Sequence, residues 1–170
     1  MKNTIYLLTI IVPTYNEVDN IESFINKIKE ILKNINFQIL FVDDNSTDGT
    51  IDKVNKFKES YDNIELIVRI GRRGLSGACI EGIQNAKSNY VAIIDCDLQH
   101  DEKLLLKMLQ TFEKEELLDL VIGSRHVEEG DSQKGLSYLR NLGSRYAIKL
   151  TQKLLKIKIN DPMSGFFMAK

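Results

Sequence analysis

Residues 5–17 read IYLLTIIVPTYNE, an apolar run that stops at a proline and gives way to polar residues. A short apolar run that ends in a turn signal is typical of a strand buried on both faces of a sheet. Runs of this kind occur at Ile5–Val12, Phe37–Val42, Ile64–Ile70, Tyr90–Ile94 and Leu118–Gly123. Helical periodicity lies between and after them, over 18–33, 47–60, 75–87, 101–116 and 136–156. This alternation predicts an α/β fold with a mostly parallel sheet and helices on both faces.

The bulk composition is that of one globular domain. The chain has 170 residues, of which 43% are hydrophobic and 28% charged, and its net charge is −1. A charge this close to zero gives no attraction to nucleic acid, so we expect no nucleic-acid partner. Two cysteines without metal-ligand spacing indicate a reducing compartment. No apolar run reaches the roughly 18 residues needed to cross a bilayer.

Polar clusters follow the predicted strands at the point where each strand ends. They lie at 13–17, 43–49, 71–77, 95–102 and 123–126. Ligands of open parallel sheets collect at the carboxyl ends of the strands. The sequence therefore predicts one shared site at that edge of the sheet.

The cluster Asp95-Cys96-Asp97-Leu98-Gln99 directly follows an apolar strand. Carboxylates at i and i+2, with an amide oxygen two residues later, can converge on a hard divalent cation. Mg²⁺ and Mn²⁺ prefer such sites, which waters and substrate phosphates complete. We therefore predict a Mg or Mn site at Asp95, Asp97 and Gln99.

Two other clusters have more than one interpretation. Residues 43–50 fit a turn in which Ser46 or Thr47 caps the next helix, although the same stretch also resembles the opening of a calcium loop. The calcium interpretation fails at its twelfth position, where Asn55 stands in place of glutamate. Residues 71–78 combine glycines with two arginines, which suits a diphosphate, yet they match neither a P-loop nor a dinucleotide fingerprint.

The predicted helix 136–156 lies in a segment, from 132 to 160, that contains seven basic residues and no acidic one. Arg140 and Ser144 share one helix face and, with Arg125, could form a phosphate cradle. A separate stripe is formed by Arg145, Lys149, Lys153 and Lys156. That stripe fits a solvated helix face or a surface that attracts anionic lipid.

Seven stretches, taken in order, resemble the dolichol-phosphate mannosyltransferases and related polyprenyl-phosphate glycosyltransferases of glycosyltransferase family 2, which have the Rossmann-like GT-A fold. The stretches cover nearly the whole chain: they are 12–17, 42–50, 73–78, 95–100, 123–125, Arg140 with Ser144, and 164–167.

The resemblance implies a role for individual residues. Pro13, Tyr15, Glu17, Val42 and Asp44 would line the donor nucleotide pocket. Together with them, Asp95 and Asp97 would bind the donor, and with Gln99 they would hold Mg or Mn. Arg125, Arg140 and Ser144 would receive the acceptor phosphate, and Asp95, Asp97 and Arg125 would be the catalytic residues.

The implied activity is transfer of a sugar, with inversion, from a nucleotide sugar such as GDP-mannose or a UDP-hexose to a polyprenyl or dolichyl phosphate. We expect a cytoplasmic protein, peripheral at the cytoplasmic face of a membrane. Catalytic domains of the family continue beyond residues 164–167, so the single domain 1–170 is expected to be truncated at its C-terminus. The sequence does not specify an oligomeric state.

Two alternatives stay open. A glycosyltransferase of the same fold could act on a sugar or protein hydroxyl, but such an acceptor needs a catalytic carboxylate because it is not already ionised. The basic helix with Arg140 and Ser144 favours a phosphate acceptor instead. The other alternative is a non-catalytic fragment that binds nucleotide sugars.

Overall fold

A computed structural model of the chain describes residues 6–124 and 164–170. The strands in these ranges are β1 (Tyr6–Thr14), β2 (Phe37–Asp43), β3 (Ile64–Val68), β4 (Ser88–Ile93), β5 (Leu120–Ile122) and β6 (Phe167–Ala169). The helices are α1 (Ile21–Ile31), α2 (Thr50–Ser60), α3 (Leu75–Asn85) and α4 (Leu104–Lys114). Arg125, Arg140 and Ser144, the predicted helix 136–156 and its basic stripe lie outside the described residues.

The strands form one six-stranded sheet in the order β3-β2-β1-β4-β6-β5. β1 pairs in parallel with β2 and with β4, and β2 pairs in parallel with β3. β6 runs antiparallel between β4 and β5. The predicted mostly parallel α/β sheet is therefore confirmed, whereas β6 was missed, because three residues are too few to show a strand pattern.

Helices cover both faces of the described sheet. Fully buried side chains of α1 and α4 pack on one face, where Val54 of α2 joins them. On the other face Ala78 of α3 packs against Ile11, Leu40 and Ile93. The prediction of helices on both faces is confirmed.

The spacing of apolar residues explains how α1 packs. Its four buried residues, Ile21, Phe24, Ile25 and Ile28, recur at helical spacing and are fully buried. The Phe24 ring meets Phe41 of β2 edge-on, with centroids 6.3 Å apart. Burying one such side chain contributes about 1.5–3 kcal/mol, so this face anchors the helix to the sheet. Neither α1 nor any other helix within 6–124 and 164–170 is long and apolar enough to cross a membrane.

Gly82 lets α3 approach the sheet closely. A Cβ at this position would overlap the Ile11 side chain and lie 3.3 Å from Val42 Cγ2. Both neighbours are fully buried, β-branched strand residues, so they have little freedom to move aside.

We predict that Gly82→Ala lowers the free energy of unfolding by about 1–2 kcal/mol, because overpacking outweighs the better helix propensity of alanine. Urea unfolding would measure the change. The matched control is Gln84→Ala, an exposed site on the same helix, where the change should stay within about 0.5 kcal/mol. An unchanged or higher stability of Gly82→Ala would contradict the packing of α3.

Candidate active site

The carboxyl ends of the four parallel strands lie at one edge of the sheet, here called the carboxyl edge. Thr14 of β1 is level with Asp43 of β2, which is level with Val68 of β3. β4 ends level with Ile11, three residues before β1 ends. The loop that carries Asp95 and Asp97 therefore begins closer to the middle of the sheet than the loops that follow β1 and β2.

Asp43 organises the end of β2. It is fully buried, and its carboxylate accepts hydrogen bonds from Thr14 Oγ1 at 2.8 Å, from Ser46 N–H at 2.7 Å and from Ser46 Oγ at 2.7 Å. A buried carboxylate is stable only when such donors surround it. These bonds fix the turn after β2, so Asp43 has a structural role.

The loop after β2 is tied to the loop after β1. Asn16 N–H donates to Ser46 Oγ at 2.8 Å, and Thr47 N–H donates to Asn16 Oδ1 at 3.0 Å. Glu17 N–H donates to Thr50 Oγ1 at 2.9 Å. Together with Asp43, these bonds hold the two loops as one wall of the site.

The predicted helix cap is wrong. α2 begins at Thr50, its N-cap is Gly49 with φ +100°, and no side chain caps it. Ser46 is occupied by Asp43 and Asn16 and therefore cannot serve the helix. Asp48 instead accepts from the N–H groups of Val18 and Thr50. Burial alone would raise the pKa of Asp48, but the hydrogen bonds from Thr50 and Val18 outweigh it and lower the pKa.

Asp44, expected to line the donor pocket, is almost wholly engaged by the protein. One carboxylate oxygen is bound by the Arg69 guanidinium, and the other accepts from Gly74 N–H at 2.7 Å. The residue is 7% exposed. Asp44 therefore joins β2 to the loop that precedes α3.

Tyr15 and Glu17, also expected at the donor pocket, reach the same edge. Tyr15 is 45% exposed, and the Arg73 guanidinium lies 4.6 Å from its ring centroid. Glu17 accepts from Asn20 Nδ2 at 2.7 Å. An exposed aromatic ring beside an arginine is a surface on which a planar base can stack.

Pro13 and Val42 lie opposite each other in β1 and β2. Pro13 is half-buried, while Val42 is fully buried and packs with Ile11 and Ala78. The Val42 side chain is therefore part of the core, and the two residues form the floor behind the wall of loops.

The loop 95–100 bends sharply because Leu98 has a φ of +59°. Asp97 Oδ1 accepts from Gln99 N–H at 3.1 Å, and Asp95 Oδ2 lies 3.8 Å from His100 Nε2. The Asp95 side chain is 43% exposed. The His100 ring is held by Phe166, with centroids 5.4 Å apart. Solvent and ligands can thus reach both carboxylates.

These residues fit a divalent cation whose coordination a ligand completes. Oxygen atoms of Asp95, Asp97 and Gln99 are the donor set that Mg²⁺ and Mn²⁺ prefer. In the described part of the chain, no group of three or more His, Cys, Asp or Glu side chains could hold a metal by itself. A cation here would need further oxygens from a bound substrate.

Acidic side chains of two loops act electrostatically on the Cys96 thiol. Burial raises the pKa of the Cys96 thiol to about 12, and the negative charges of Glu17, Asp97 and Asp95 add to the effect. Burial also raises the pKa of Cys79, and the charge of Asp95 contributes. Glu17 of the first loop and Asp95 and Asp97 of the fourth therefore share one electronegative region.

Two residues make contacts that the sequence analysis did not predict: Ser164, which was identified only as part of the stretch 164–167, and Arg69. Ser164 Oγ donates to the Gly123 carbonyl at 2.6 Å and accepts from Phe166 N–H at 3.2 Å, which joins β6 to the end of β5. Arg69 was assigned to a buried strand, where an arginine within an apolar run should have indicated a buried carboxylate partner.

A groove of about 630 Å³ lies elsewhere, between α1 and α2. Its lining consists of Val18, Glu22, Gly49, Asp52, Lys53, Lys56, Phe57, Ser60 and Tyr61. None of the predicted site residues is among them, so the groove is separate from the acids at the carboxyl edge.

Known proteins share this fold. A mannosyltransferase from Pyrobaculum calidifontis, in complex with GDP-Man and Mn²⁺, superposes with a TM-score of 0.60 at 26% identity, over 71% of this chain and 36% of that one. Mannosyl-3-phosphoglycerate synthase from Rubrobacter xylanophilus has a TM-score of 0.74 at 18% identity, over 97% and 54% of the two chains. The protein has the GT-A fold of glycosyltransferases.

The sequence of the chain gives the family. The profile described as Glycosyl transferase family 2 matches residues 9–170. Dolichol-phosphate mannosyltransferase of Pyrococcus furiosus is 36% identical over 94% of this chain and 45% of its own length, and the enzyme of that name from Saccharomyces cerevisiae is 31% identical over 94% and 59%. The chain belongs to glycosyl transferase family 2, and the expected relation to dolichol-phosphate mannosyltransferases is confirmed. It spans roughly half the length of these relatives.

We predict that Cys96 is inert toward Ellman's reagent in the folded protein. With a pKa of about 12, roughly one thiol in ten thousand is ionised at pH 8, and the thiolate is the reactive form. The Cys79→Ser variant, in which Cys96 is the remaining cysteine, should react only after denaturation in urea. Rapid reaction of the folded Cys79→Ser variant would show that Cys96 is not buried beside Glu17, Asp95 and Asp97.

We also predict that Asp43→Ala lowers the free energy of unfolding by about 3 kcal/mol, because two hydroxyls and one N–H lose a charged acceptor. Chemical denaturation would measure it. Asp62→Ala, at an exposed aspartate, is the control and should change stability by less than about 0.5 kcal/mol. Equal effects of the two changes would show that Asp43 does not organise the turn.

Proposed function

We propose that the chain is the catalytic part of an inverting, metal-dependent glycosyltransferase that moves a sugar from a nucleotide sugar to a polyprenyl phosphate. The observation that carries the proposal is the parallel pairing of β1 with β4, which continues to Ile94 N–H and the Ile11 carbonyl at 3.2 Å and so brings the loop with Asp95 and Asp97 next to the loop with Tyr15 and Glu17. Family membership supports the reaction class. The curated relatives named dolichol-phosphate mannosyltransferase support the acceptor class.

The donor would bind along the wall of loops. Its base would stack at Tyr15, and its diphosphate would lie toward Asp95 and Asp97. When bound there, Mg²⁺ or Mn²⁺ supplies positive charge that offsets the charge developing on the departing diphosphate. Asp95 and Asp97 would hold that ion in place, with the amide oxygen of Gln99 as a further ligand. The Pyrobaculum mannosyltransferase, which carries GDP-Man with Mn²⁺, supports this pairing of ligands.

The acceptor would approach from the side of Arg125, Arg140 and Ser144. A phosphate monoester has its second pKa near 6, so it is largely a dianion at neutral pH and needs little help from a base. Its oxygen would attack the anomeric carbon while the bond to the diphosphate breaks, which inverts the configuration. Basic residues that align this dianion with the donor would offset the repulsion between the two anions.

Association with a membrane surface follows from the lipid acceptor. A peripheral position at the cytoplasmic face would bring the carboxyl edge close to the phosphate of an embedded polyprenyl chain. The acid-free segment 132–160 supports this placement, because Lys and Arg side chains are attracted to anionic lipid.

A sugar or protein hydroxyl is the second candidate acceptor. Such an acceptor needs a carboxylate base, and the structure offers Asp95, whose side chain is 43% exposed. Radiolabelled transfer to polyprenyl phosphate, compared with transfer to soluble sugars, separates the two. Label in the lipid extract supports our proposal, and label only in soluble sugars contradicts it.

We predict that Asp97→Ala reduces Mn²⁺-dependent sugar transfer at least about a hundredfold, because an electrostatic contact made at the developing charge is lost. The assay follows radiolabelled sugar into polyprenyl phosphate. Asp119→Ala, at an exposed aspartate that precedes β5, should retain wild-type activity. Undiminished transfer by Asp97→Ala with added Mg²⁺ or Mn²⁺ would refute the metal assignment.

A further inference from the structure

Arg69 is a buried cation at the carboxyl edge. It follows the last residue of β3, and its side chain is 5% exposed. Its N–H donates to the Asp43 carbonyl at 2.8 Å, which continues the strand pairing by one residue. A guanidinium taken out of water must find acceptors for its N–H groups, because an uncompensated buried charge is strongly destabilising.

Its acceptors come from three places in the chain. Nη1 donates to the Asp44 carboxylate and, at 3.1 Å, to the Gly74 carbonyl, while Nε donates to Glu81 Oε2 at 3.2 Å. Gly74 N–H donates a hydrogen bond to the other carboxylate oxygen of Asp44 at 2.7 Å. Arg69, Asp44 and Gly74 thus form a closed ring of hydrogen bonds that fastens the start of α3 to the end of β2.

The backbone is adapted to this guanidinium. A Cβ at Gly77, in the first turn of α3, would overlap it. Gly74 itself has a φ of +127°, which is accessible to glycine and strained for other residues. The two glycines allow helix and loop to close over Arg69.

The ring of hydrogen bonds formed by Arg69, Asp44 and Gly74 determines where Arg73 lies. Arg73 is the residue next to Gly74, and its guanidinium lies over the Tyr15 ring at 4.6 Å. The residues between Arg69 and Gly74 are exposed. On the other side of Arg73, Arg72 pairs at 3.1 Å with Glu81, which Arg69 also binds, so both contacts that flank Arg73 involve partners of Arg69.

We infer that Arg69 is a positioning residue for the donor: it holds loop 70–74 against β2 so that Arg73 and Tyr15 present one surface to the nucleotide. The inference rests on the proposed function, which identifies the ligand as a nucleotide sugar. Arginine is required here because its planar fork serves carboxylate and carbonyl acceptors at once, whereas the lysine ammonium is a compact point charge on a different stem.

Arg69→Lys and Gly77→Ala test the inference in different ways. Arg69→Lys keeps the positive charge but loses the planar guanidinium group. The second keeps every charged group, replaces a helical glycine by a better helix former and displaces the guanidinium. Lys58→Arg is the control, because Lys58 also pairs with a glutamate, Glu65 at 2.6 Å, but both side chains are 43% exposed and Glu65 lies near the start of β3, away from loop 70–74.

Two measurements are made on the full chain. Limited trypsin digestion, with mass spectrometry, compares cleavage after residues 72 and 73 with cleavage after the exposed Lys114 in the same sample. Calorimetry measures the affinity for GDP-mannose and for UDP-glucose with Mn²⁺, well below the melting temperature.

We expect Arg69→Lys and Gly77→Ala to speed cleavage after residues 72 and 73 relative to Lys114, and to weaken binding of the preferred donor about tenfold or more. Lys58→Arg should stay within about twofold on both measures. Cleavage after residues 72 and 73 at the wild-type rate in both variants would overturn the inference. Faster cleavage there with unchanged donor affinity would overturn it as well. If the wild type binds neither nucleotide sugar, the proposed function fails, and the proteolysis still decides whether Arg69 anchors the loop.

Discussion

The parallel pairing of β1 with both β2 and β4 is the constraint on which the rest of the structure depends. It brings the ends of β1, β2 and β4 to one edge, although their loops are far apart in sequence. Because β4 ends level with Ile11, the acidic loop after β4 begins closer to the middle of the sheet than the loops that follow β1 and β2. This strand register places the acidic loop beside the loop that follows β1 at the carboxyl edge, where ligands of open α/β sheets bind.

Charge distribution separates the acids of this edge into two groups. Asp43, Asp44 and Asp48 accept hydrogen bonds from neighbouring hydroxyl, N–H or guanidinium groups, so their charges are compensated within the fold. Asp95 and Asp97 are partly exposed; Asp97 accepts from the Gln99 N–H at 3.1 Å, and His100 Nε2 lies 3.8 Å from the Asp95 carboxylate. Like charges held close together repel one another unless a cation joins them. The first group builds the site, and the second is suited to bind an ion and its ligand.

Much of this arrangement could be predicted from sequence, for identifiable reasons. The apolar runs sufficed for the α/β fold, because strands buried on both faces consist of continuous apolar segments. The site at 95–99 stays a prediction. The predicted helix cap at Ser46 or Thr47 was wrong because these residues make long-range contacts instead. The Ser46 hydroxyl pairs with Asn16 and Asp43, and the Thr47 N–H pairs with Asn16. β6 was missed because its pairing with β4 and β5 is a tertiary contact that a three-residue segment cannot encode locally. Asp44, which the resemblance places at the donor pocket, binds Arg69 and Gly74 through its carboxylate, and this long-range pairing could not be predicted from the local sequence.

A divalent cation and a nucleotide that bind together at the carboxyl edge can be located by NMR. The most direct measurement is paramagnetic broadening of backbone amide signals by Mn²⁺, recorded with GDP or UDP present. Signals of residues 15–17 and 95–99 should broaden first, while those around Leu117, which precedes β5 at the opposite edge of the sheet, should stay sharp. Broadening centred near Leu117, or none at 95–99 with nucleotide bound, would show that the two ligands do not share this site.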